Sequence, residues 1–377
     1  MLPGPIGGRR PCAVGVVVIL FALTGCASRP GPEVLTPVAA APGSKALPIY
    51  VATARKRATS SENVFTAERD HSLNFAKFTV GIPPNHQAGN IEWPQGTPDP
   101  RVSFVTIDQA LLGDAEFRDA VAPLRQSSRQ RNKTNVLIFV HGFNNNFQES
   151  LYRLAQIASD AEVNGIPILF SWPSQAAAVQ YAADKDAAAH SRDHLIALLT
   201  MVTSSPQVGE VMIVAHSMGG MLAMESLREL RVQRRDRVIA RLGRVILAAP
   251  DIDVDAFRSQ IQIIGPLNPP LTMLVSKDDA ALRLSSFLGG SRVQAGALDV
   301  ENPLVREAAL KAKVRIIDIS QLRSTDGRLH HDRFVNAAAF YPQLQRLAEA
   351  ERQRSGTFVF DPASARLLQV SAPVPVE

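Results

Sequence analysis

The chain is predicted to fold as an α/β protein, with a mostly parallel central sheet and helices on both faces. Two observations predict it. Short, near-continuously apolar runs recur at 136–140, 166–171, 211–215, 245–249, 271–276 and 314–319, which is how strands buried on both faces appear. Longer segments between them, such as 147–163, 180–202 and 218–233, carry apolar residues at helical spacing. Strand and helix in alternation build a parallel sheet through helical crossovers. Composition permits it: 46% of the 377 residues are hydrophobic and 20% charged, the profile of a chain with a large core rather than of a disordered one.

Taken from the N-terminus, the first element is a targeting segment. Arg9 and Arg10 precede an apolar run, 13–23, that is too short to span a bilayer core of about 30 Å comfortably. Both cysteines of the chain, Cys12 and Cys26, fall in this region, so the body holds no thiols for a disulfide or a zinc cage. Leu23-Thr24-Gly25-Cys26 resembles a bacterial lipobox. The resemblance implies a signal peptide over 1–25, lipidation of Cys26 and a membrane anchor on the periplasmic side of the cell envelope. Ala27 is unlike an inner-membrane retention signal, which favours the outer membrane.

Residues 26–47 are rich in Pro, Gly and Ala without an apolar period and are expected to form a tether. The α/β domain is placed at 48–355, and 356–377 is expected to be a tail. Strands are expected at 47–53 and 102–107, with an irregular Pro- and Gly-rich stretch at 81–100 between them. The run of Arg228, Arg231, Arg234, Arg235, Arg237, Arg241 and Arg244 is interrupted by Glu229 and Asp236 and reads as a solvated helix face. With a net charge of only +5, no nucleic-acid partner is expected.

The run 211–215 leads straight into His216-Ser217-Met218-Gly219-Gly220 and then into a helical segment. A serine held between strand and helix by small neighbours has the form of a nucleophile elbow, with Ala215 in place of the usual first glycine. Ser217 is expected to project beyond the sheet edge at a helix N-terminus, where the dipole favours developing negative charge. The run 136–140 similarly breaks into His141-Gly142-Phe143-Asn144-Asn145-Asn146. In that position a loop supplies one backbone donor of an oxyanion hole and the residue after the nucleophile supplies the other, here Phe143 and Met218. The same asparagines could also simply cap a helix. His141 is expected to structure the loop.

A serine needs a base, and the order Ser, acid, His restricts the choice. Six of the eight histidines precede Ser217, leaving His330 and His331. His331 is preferred because it lies closer to a final helix expected at 335–350. For the acid, Asp251 follows the run 245–249 and the pair Asp278-Asp279 follows 271–276. All three qualify, and Asp279 is preferred because the later strand is the commoner position.

These landmarks, together with Phe170-Ser171-Trp172-Pro173-Ser174, Ser276-Lys277-Asp278-Asp279-Ala280-Ala281-Leu282 and His331-Asp332-Arg333-Phe334, resemble a family of bacterial α/β-hydrolase-like proteins of unknown function, described as esterase- or lipase-like. The resemblance covers roughly residues 48 to 345 and implies the α/β-hydrolase fold and a Ser217-His331-Asp279 triad, without a substrate. Trp172 is expected to line the pocket or to sit in the core.

Other chemistries find no support. His190 and His194 lie four apart, but Ser191 stands where a zinc protease has its glutamate. Asp251, Asp253 and Asp255 mimic a calcium loop, yet Ala256 and Gln262 replace its glycine and closing glutamate. The expected function is therefore hydrolysis of carboxylic esters or thioesters in a small molecule or lipid, through a covalent acyl-enzyme and with no metal or organic cofactor; acyl transfer stays open. The alternative is a non-catalytic envelope lipoprotein that uses the fold as a binding or assembly scaffold.

Overall fold

In the computed structural model, residues 29–121, 133–288, 292–327, 329–345 and 353–370 are described. The strands are β1 Lys45–Arg57, β2 Phe65–Ile82, β3 Val105–Leu112, β4 Thr134–Val140, β5 Ile166–Ser171, β6 Val208–His216, β7 Leu242–Ala248, β8 Thr272–Val275, β9 Arg315–Asp318, β10 Gly356–Asp361 and β11 Arg366–Gln369. They form one sheet in the order β11-β10-β9-β8-β7-β6-β4-β5-β1-β2-β3. Every pairing from β10 across to β1 is parallel. At the two edges β1/β2, β2/β3 and β10/β11 are antiparallel.

The helices are α1 Asp114–Val121, α2 Phe147–Asp160, α3 Tyr181–His190, α4 Arg192–Ser204, α5 Met218–Val232, α6 Asp236–Ile239, α7 Val254–Ile264, α8 Ala280–Leu288, α9 Pro303–Ala312, α10 Phe334–Ala338 and α11 Tyr341–Gln345. They cover both faces because successive strand residues point to opposite sides. Val136, Ile138 and Val140 of β4 join a core layer with Leu195 and Leu199 of α4, Leu222 of α5 and Phe257 of α7. Leu137 and Phe139 join the opposite layer, with Leu151 and Leu154 of α2 and Phe334 of α10. The chain leaves β4 toward β5 on one side and has β6 on the other, so the crevice beyond the ends of β4 and β6 is the switch point where open α/β sheets bind ligands.

The α/β class and the six central strands follow the sequence reading, and several boundaries do not. β2 went unread: after buried Phe65, its first half out to Asn74 is mostly polar and partly buried or exposed, with no alternation, where β1 and β2 extend beyond the sheet. The strand expected at 102–107 begins three residues later, at Val105. The helix expected over 180–202 breaks at Ser191, whose hydroxyl is turned back onto the Ala187 carbonyl. The final helix expected at 335–350 is divided into α10 and α11, and 346–352 lie outside the described residues. The region taken as a tail contributes β10 and β11, with Phe358 and Phe360 buried against the sheet, so the domain runs past 355.

The tether is also docked from Arg29 onward. Val34 and Leu35 are buried, the Tyr152 hydroxyl donates to the Val34 carbonyl at 2.7 Å, and the Val38 N–H donates to the Thr106 carbonyl at 2.9 Å. Residues 1–28, which include the expected signal peptide and Cys26, lie outside the described residues.

Two buried polar groups hold the periphery to this frame. The Arg55 guanidinium on β1 donates to the carbonyls of Asn145 (3.0 Å), Ser174 (3.2 Å) and Thr66 (3.2 Å) and to Ser171 Oγ (2.9 Å). Burial pulls its pKa down to about 9, against the charges of Asp184 and Glu149, so it stays protonated at neutral pH. His86 sits between Glu92 and Asp160, 2.8 Å from each, and ties the loop after β2 to α2. Burial disfavours its charge, but the hydrogen bonds and charges of Asp160 and Glu92 win and raise its pKa.

Arg55→Met should therefore leave three carbonyls and a hydroxyl without a donor and lower the unfolding free energy by about 3–5 kcal/mol in denaturant titration. For His86 the raised pKa sets the sign. Its stabilisation is complete below the unfolded value of about 6.5 and is lost as pH rises through the higher folded value. Thermal unfolding should show a steeper decline in wild type than in His86→Gln, where only the His331 contribution remains; equal pH dependence in both would contradict the assignment.

Candidate active site

Ser217 sits between β6 and α5 at φ 53°, ψ −120°, a conformation costly for a residue with a side chain and kept only when its surroundings enforce it. Its N–H donates to the Ala248 carbonyl at the end of β7 (2.9 Å), and its carbonyl accepts from Gly220 (2.9 Å) and Asp251 (3.2 Å). Glycine is required on either side of the crevice. A Cβ on Gly219 would lie 2.4 Å from the His141 carbonyl oxygen, and one on Gly142 would lie 3.0 Å from Ser217 Cβ and 2.7 Å from His216 Nδ1. The backbone at Gly142 thus passes directly against the serine, which lies just past the end of β6 and is buried there.

The loop after β4 is fixed on several sides. His141 stacks on Trp172, with ring centroids 4.8 Å apart, and the Trp172 indole N–H donates to the His141 carbonyl at 2.7 Å. Trp172 is fully buried and props this loop from the core. Burial, with the charge of Arg55, pushes the His141 pKa down to about 3, so its ring is neutral. Asn146 caps α2 in a reciprocal box with Glu149, as the capping reading required. The N–H groups of Asn144 and Asn145 are taken by Asp184 Oδ2 and Ser174 Oγ, each at 3.3 Å. Among the described residues, the N–H groups of Phe143 and Met218 donate to no protein acceptor.

His331 comes from the loop after β9, and its ring lies 4.7 Å from that of His216, the residue before Ser217. Its Nδ1 is 2.7 Å from Asp279 Oδ2, and the other oxygen of that fully buried carboxylate accepts the Leu282 N–H at 2.9 Å. The His331 backbone N–H donates to Asp326 Oδ2 at 2.9 Å. Burial opposes a charge on His331, but the Asp279 hydrogen bond and the charges of Asp279, Asp251 and Asp326 prevail and raise its pKa. His216 is packed between the rings of Phe334 (4.3 Å) and His331 (4.7 Å), with its Nε2 3.3 Å from the His331 carbonyl. Burial and the neighbouring His331 hold the His216 pKa well below its ordinary value.

The competing candidates are engaged elsewhere. Asp251 accepts from the Tyr181 hydroxyl (2.8 Å) and the Ser285 hydroxyl (2.5 Å). Asp278 accepts from Arg333 and from Ser276 Oγ, and Arg333 lowers its pKa strongly. His330 lies at φ 58° with Nδ1 2.9 Å from Asp278, not from Asp279. His216, Asp326, Arg55 and Asp184 were missed in sequence; only His216, beside the serine, and Asp326, five residues before His331, carried a positional hint. Cys26 lies outside the described residues.

A cavity of about 500 Å³ opens beside the crevice, lined by Tyr181, Met221, Leu222, Asp251, Ser285 and Arg292 among others. The Tyr181 ring meets Phe143 edge-on at 5.3 Å. A separate apolar cavity, lined by Met212, Val214, Ile246 and Leu274, lies on the α2 and α10 face and includes none of Ser217, Asp279 and His331. Among the described residues no group of three or more His, Cys, Asp or Glu side chains could hold a metal ion.

Comparison with known proteins gives the family. A solved lipase-esterase related protein from Clostridium acetobutylicum ATCC 824 is 13% identical over 55% of this chain and 83% of its own, at a TM-score of 0.23, too low to carry an argument about the site. No curated protein matches the chain. The family model described as alpha/beta hydrolase of unknown function (DUF900) matches residues 118–349, more than half of the sequence and the whole stretch from Phe143 to His331. The chain therefore belongs to that α/β-hydrolase family.

Proposed function

We propose that the protein is a serine hydrolase of carboxylic esters or thioesters, with Ser217 as nucleophile, His331 as general base and acid, and Asp279 as the orienting carboxylate. The observation that carries this reading is the 2.7 Å contact between His331 Nδ1 and Asp279 Oδ2, made beside a serine held at positive φ at the head of a helix. With Nδ1–H held by the carboxylate, the lone pair stays on Nε2, the tautomer that accepts a serine proton.

In the first step Ser217 Oγ attacks the carbonyl carbon while its proton passes to His331 Nε2. The carbonyl π pair moves onto oxygen, which the N–H groups of Phe143 and Met218 receive. Collapse expels the alkoxide or thiolate, which takes the proton from His331 and leaves an acyl-Ser217. Water then repeats the sequence, giving up a proton to His331, and the carboxylic acid leaves as Ser217 recovers its hydrogen. Neutral His216 holds the backbone of the base without competing for the proton.

We further propose that Cys26 is lipidated and anchors the domain to the periplasmic side of the envelope, in the outer rather than the inner membrane. The lipobox-like Leu23-Thr24-Gly25-Cys26 supports this. Among the described residues no helix is long and apolar enough to cross a membrane.

On short-chain p-nitrophenyl esters, Ser217→Ala and His331→Ala should lose about 10⁴-fold or more in kcat, and Asp279→Asn about 10³- to 10⁴-fold, with folding intact. Asp251→Asn and Asp278→Asn should stay within about tenfold of wild type; a large loss in Asp251→Asn with a small one in Asp279→Asn would move the acid to the earlier strand.

The base must be neutral, so kcat/KM should fall as pH drops through the raised His331 pKa, on an acid limb above about 6.5. Asp326→Asn removes one of the charges that raise this pKa and should move the limb to lower pH. An unmoved limb would exclude His331 as the titrating base. For the anchor, a palmitate analogue should label wild type and not Cys26→Ser in cells; equal labelling would contradict the lipid site.

A further inference from the structure

Cys26 is three residues from Arg29, and Arg29 is not free. Its guanidinium donates to the carbonyl of Asn144 (3.1 Å), to Asn144 Oδ1 (3.2 Å) and to the carbonyl of Ala176, and lies 3.2 Å from Glu149. The next residue, Pro30, accepts from Asn146 Nδ2 at 2.7 Å. The chain is thus fastened to the loop that carries Phe143. Three residues of fully extended chain reach about 11 Å at most, so the Cys26 backbone cannot stray farther than that from Arg29.

A second observation points the same way. Val179, Leu284, Phe287 and Leu329 are 91%, 56%, 74% and 45% exposed. Val179 lies in the loop after β5, three residues beyond Ala176; Leu284 and Phe287 are on α8, after β8; Leu329 is two residues before His331 in the loop after β9. The helix α8 is tied to the crevice through Ser285, whose hydroxyl donates to Asp251, the residue whose N–H donates to the Ser217 carbonyl. The Tyr181 hydroxyl, 2.9 Å from Ser285 Oγ, joins the segment carrying Val179 to the helix carrying Leu284 and Phe287.

We propose that the edge of the domain carrying the active-site crevice rests on the bilayer that holds the Cys26 lipid, with Val179, Leu284 and Phe287 in the headgroup and acyl boundary, and that the substrate is an acyl ester of a lipid in that leaflet. This rests on Ser217 being the nucleophile and on Cys26 being lipidated. A long tether would let the crevice face any direction. The short stretch between Cys26 and the docked Arg29 holds it near the membrane, and apolar side chains on the same edge gain from burial there. Presenting the carbonyl at the surface where the substrate already lies raises its local concentration, as linked binding sites do for each other.

The test uses the lipidated full chain in vesicles of phosphatidylethanolamine and phosphatidylglycerol that contain a fluorogenic diacyl phospholipid, with soluble p-nitrophenyl butyrate as a parallel substrate. Wild type should hydrolyse both. The double variant Val179→Asp, Phe287→Asp should lose about tenfold or more on the vesicle substrate and stay within about twofold on the soluble one. In Phe287→Cys carrying an environment-sensitive fluorophore, emission should be quenched by brominated lipids. Soluble turnover without vesicle turnover would overturn the lipid substrate and leave the Ser217 reading standing. Equal vesicle rates in variant and wild type, or an unquenched fluorophore, would overturn the membrane orientation. Loss of both activities in wild type would remove the hydrolase reading and this one with it.

Discussion

Ser217 at φ 53° is the constraint from which the site is built. A serine in that region costs on the order of 1–3 kcal/mol, and the domain offsets it with backbone bonds from three directions: β7 through Ala248, α5 through Gly220, and the loop after β7 through Asp251. Each partner belongs to an element buried in the parallel sheet or packed on it. The strain is therefore maintained by the whole doubly covered frame, and the turn cannot relax without breaking the register of β6 against β7. The same turn requires Gly219 and Gly142, because any Cβ there would collide with the His141 carbonyl or with Ser217 itself.

Around this turn the polar groups are arranged in pairs that leave few options open. Arg55, Asp184 and Ser174 occupy the carbonyls and amides of the loop after β4, and among the described residues the Phe143 N–H has no protein acceptor. Asp251, Asp278 and Asp279 each have a different partner, although the last two are adjacent in sequence. Only the Asp279 carboxylate is fully buried beside an imidazole, where a charge-assisted hydrogen bond is strongest. His216 and His141, both kept neutral by burial, contribute shape and hydrogen bonds near His331 without adding a second cation.

Much of this was legible in sequence for a physical reason. Central strands buried on both faces appear as apolar runs, so β4 to β9 could be read, and the turns that follow β4 and β6 carried Gly and Ser in a telling order. The edges could not be read in the same way. β2 projects past its neighbours and exposes polar residues, and β10 and β11 form a short edge hairpin whose burial depends on β9. The break at Ser191 has no Gly or Pro to announce it. Asp251, Asp278 and Asp279 all satisfied the order of the triad, and in the fold what separates them is Arg333, Tyr181 and Ser285, residues distant along the chain.

The most direct test of the central claim is to treat the protein with a fluorophosphonate and map the adduct by peptide mass spectrometry. A reactive Ser217 beside a base predicts one phosphonylated serine, in the peptide that contains Ala215-His216-Ser217-Met218-Gly219, formed quickly in wild type and slowly in Asp279→Asn. An unlabelled protein, as a non-catalytic scaffold would give, or an adduct on a different serine, would contradict it.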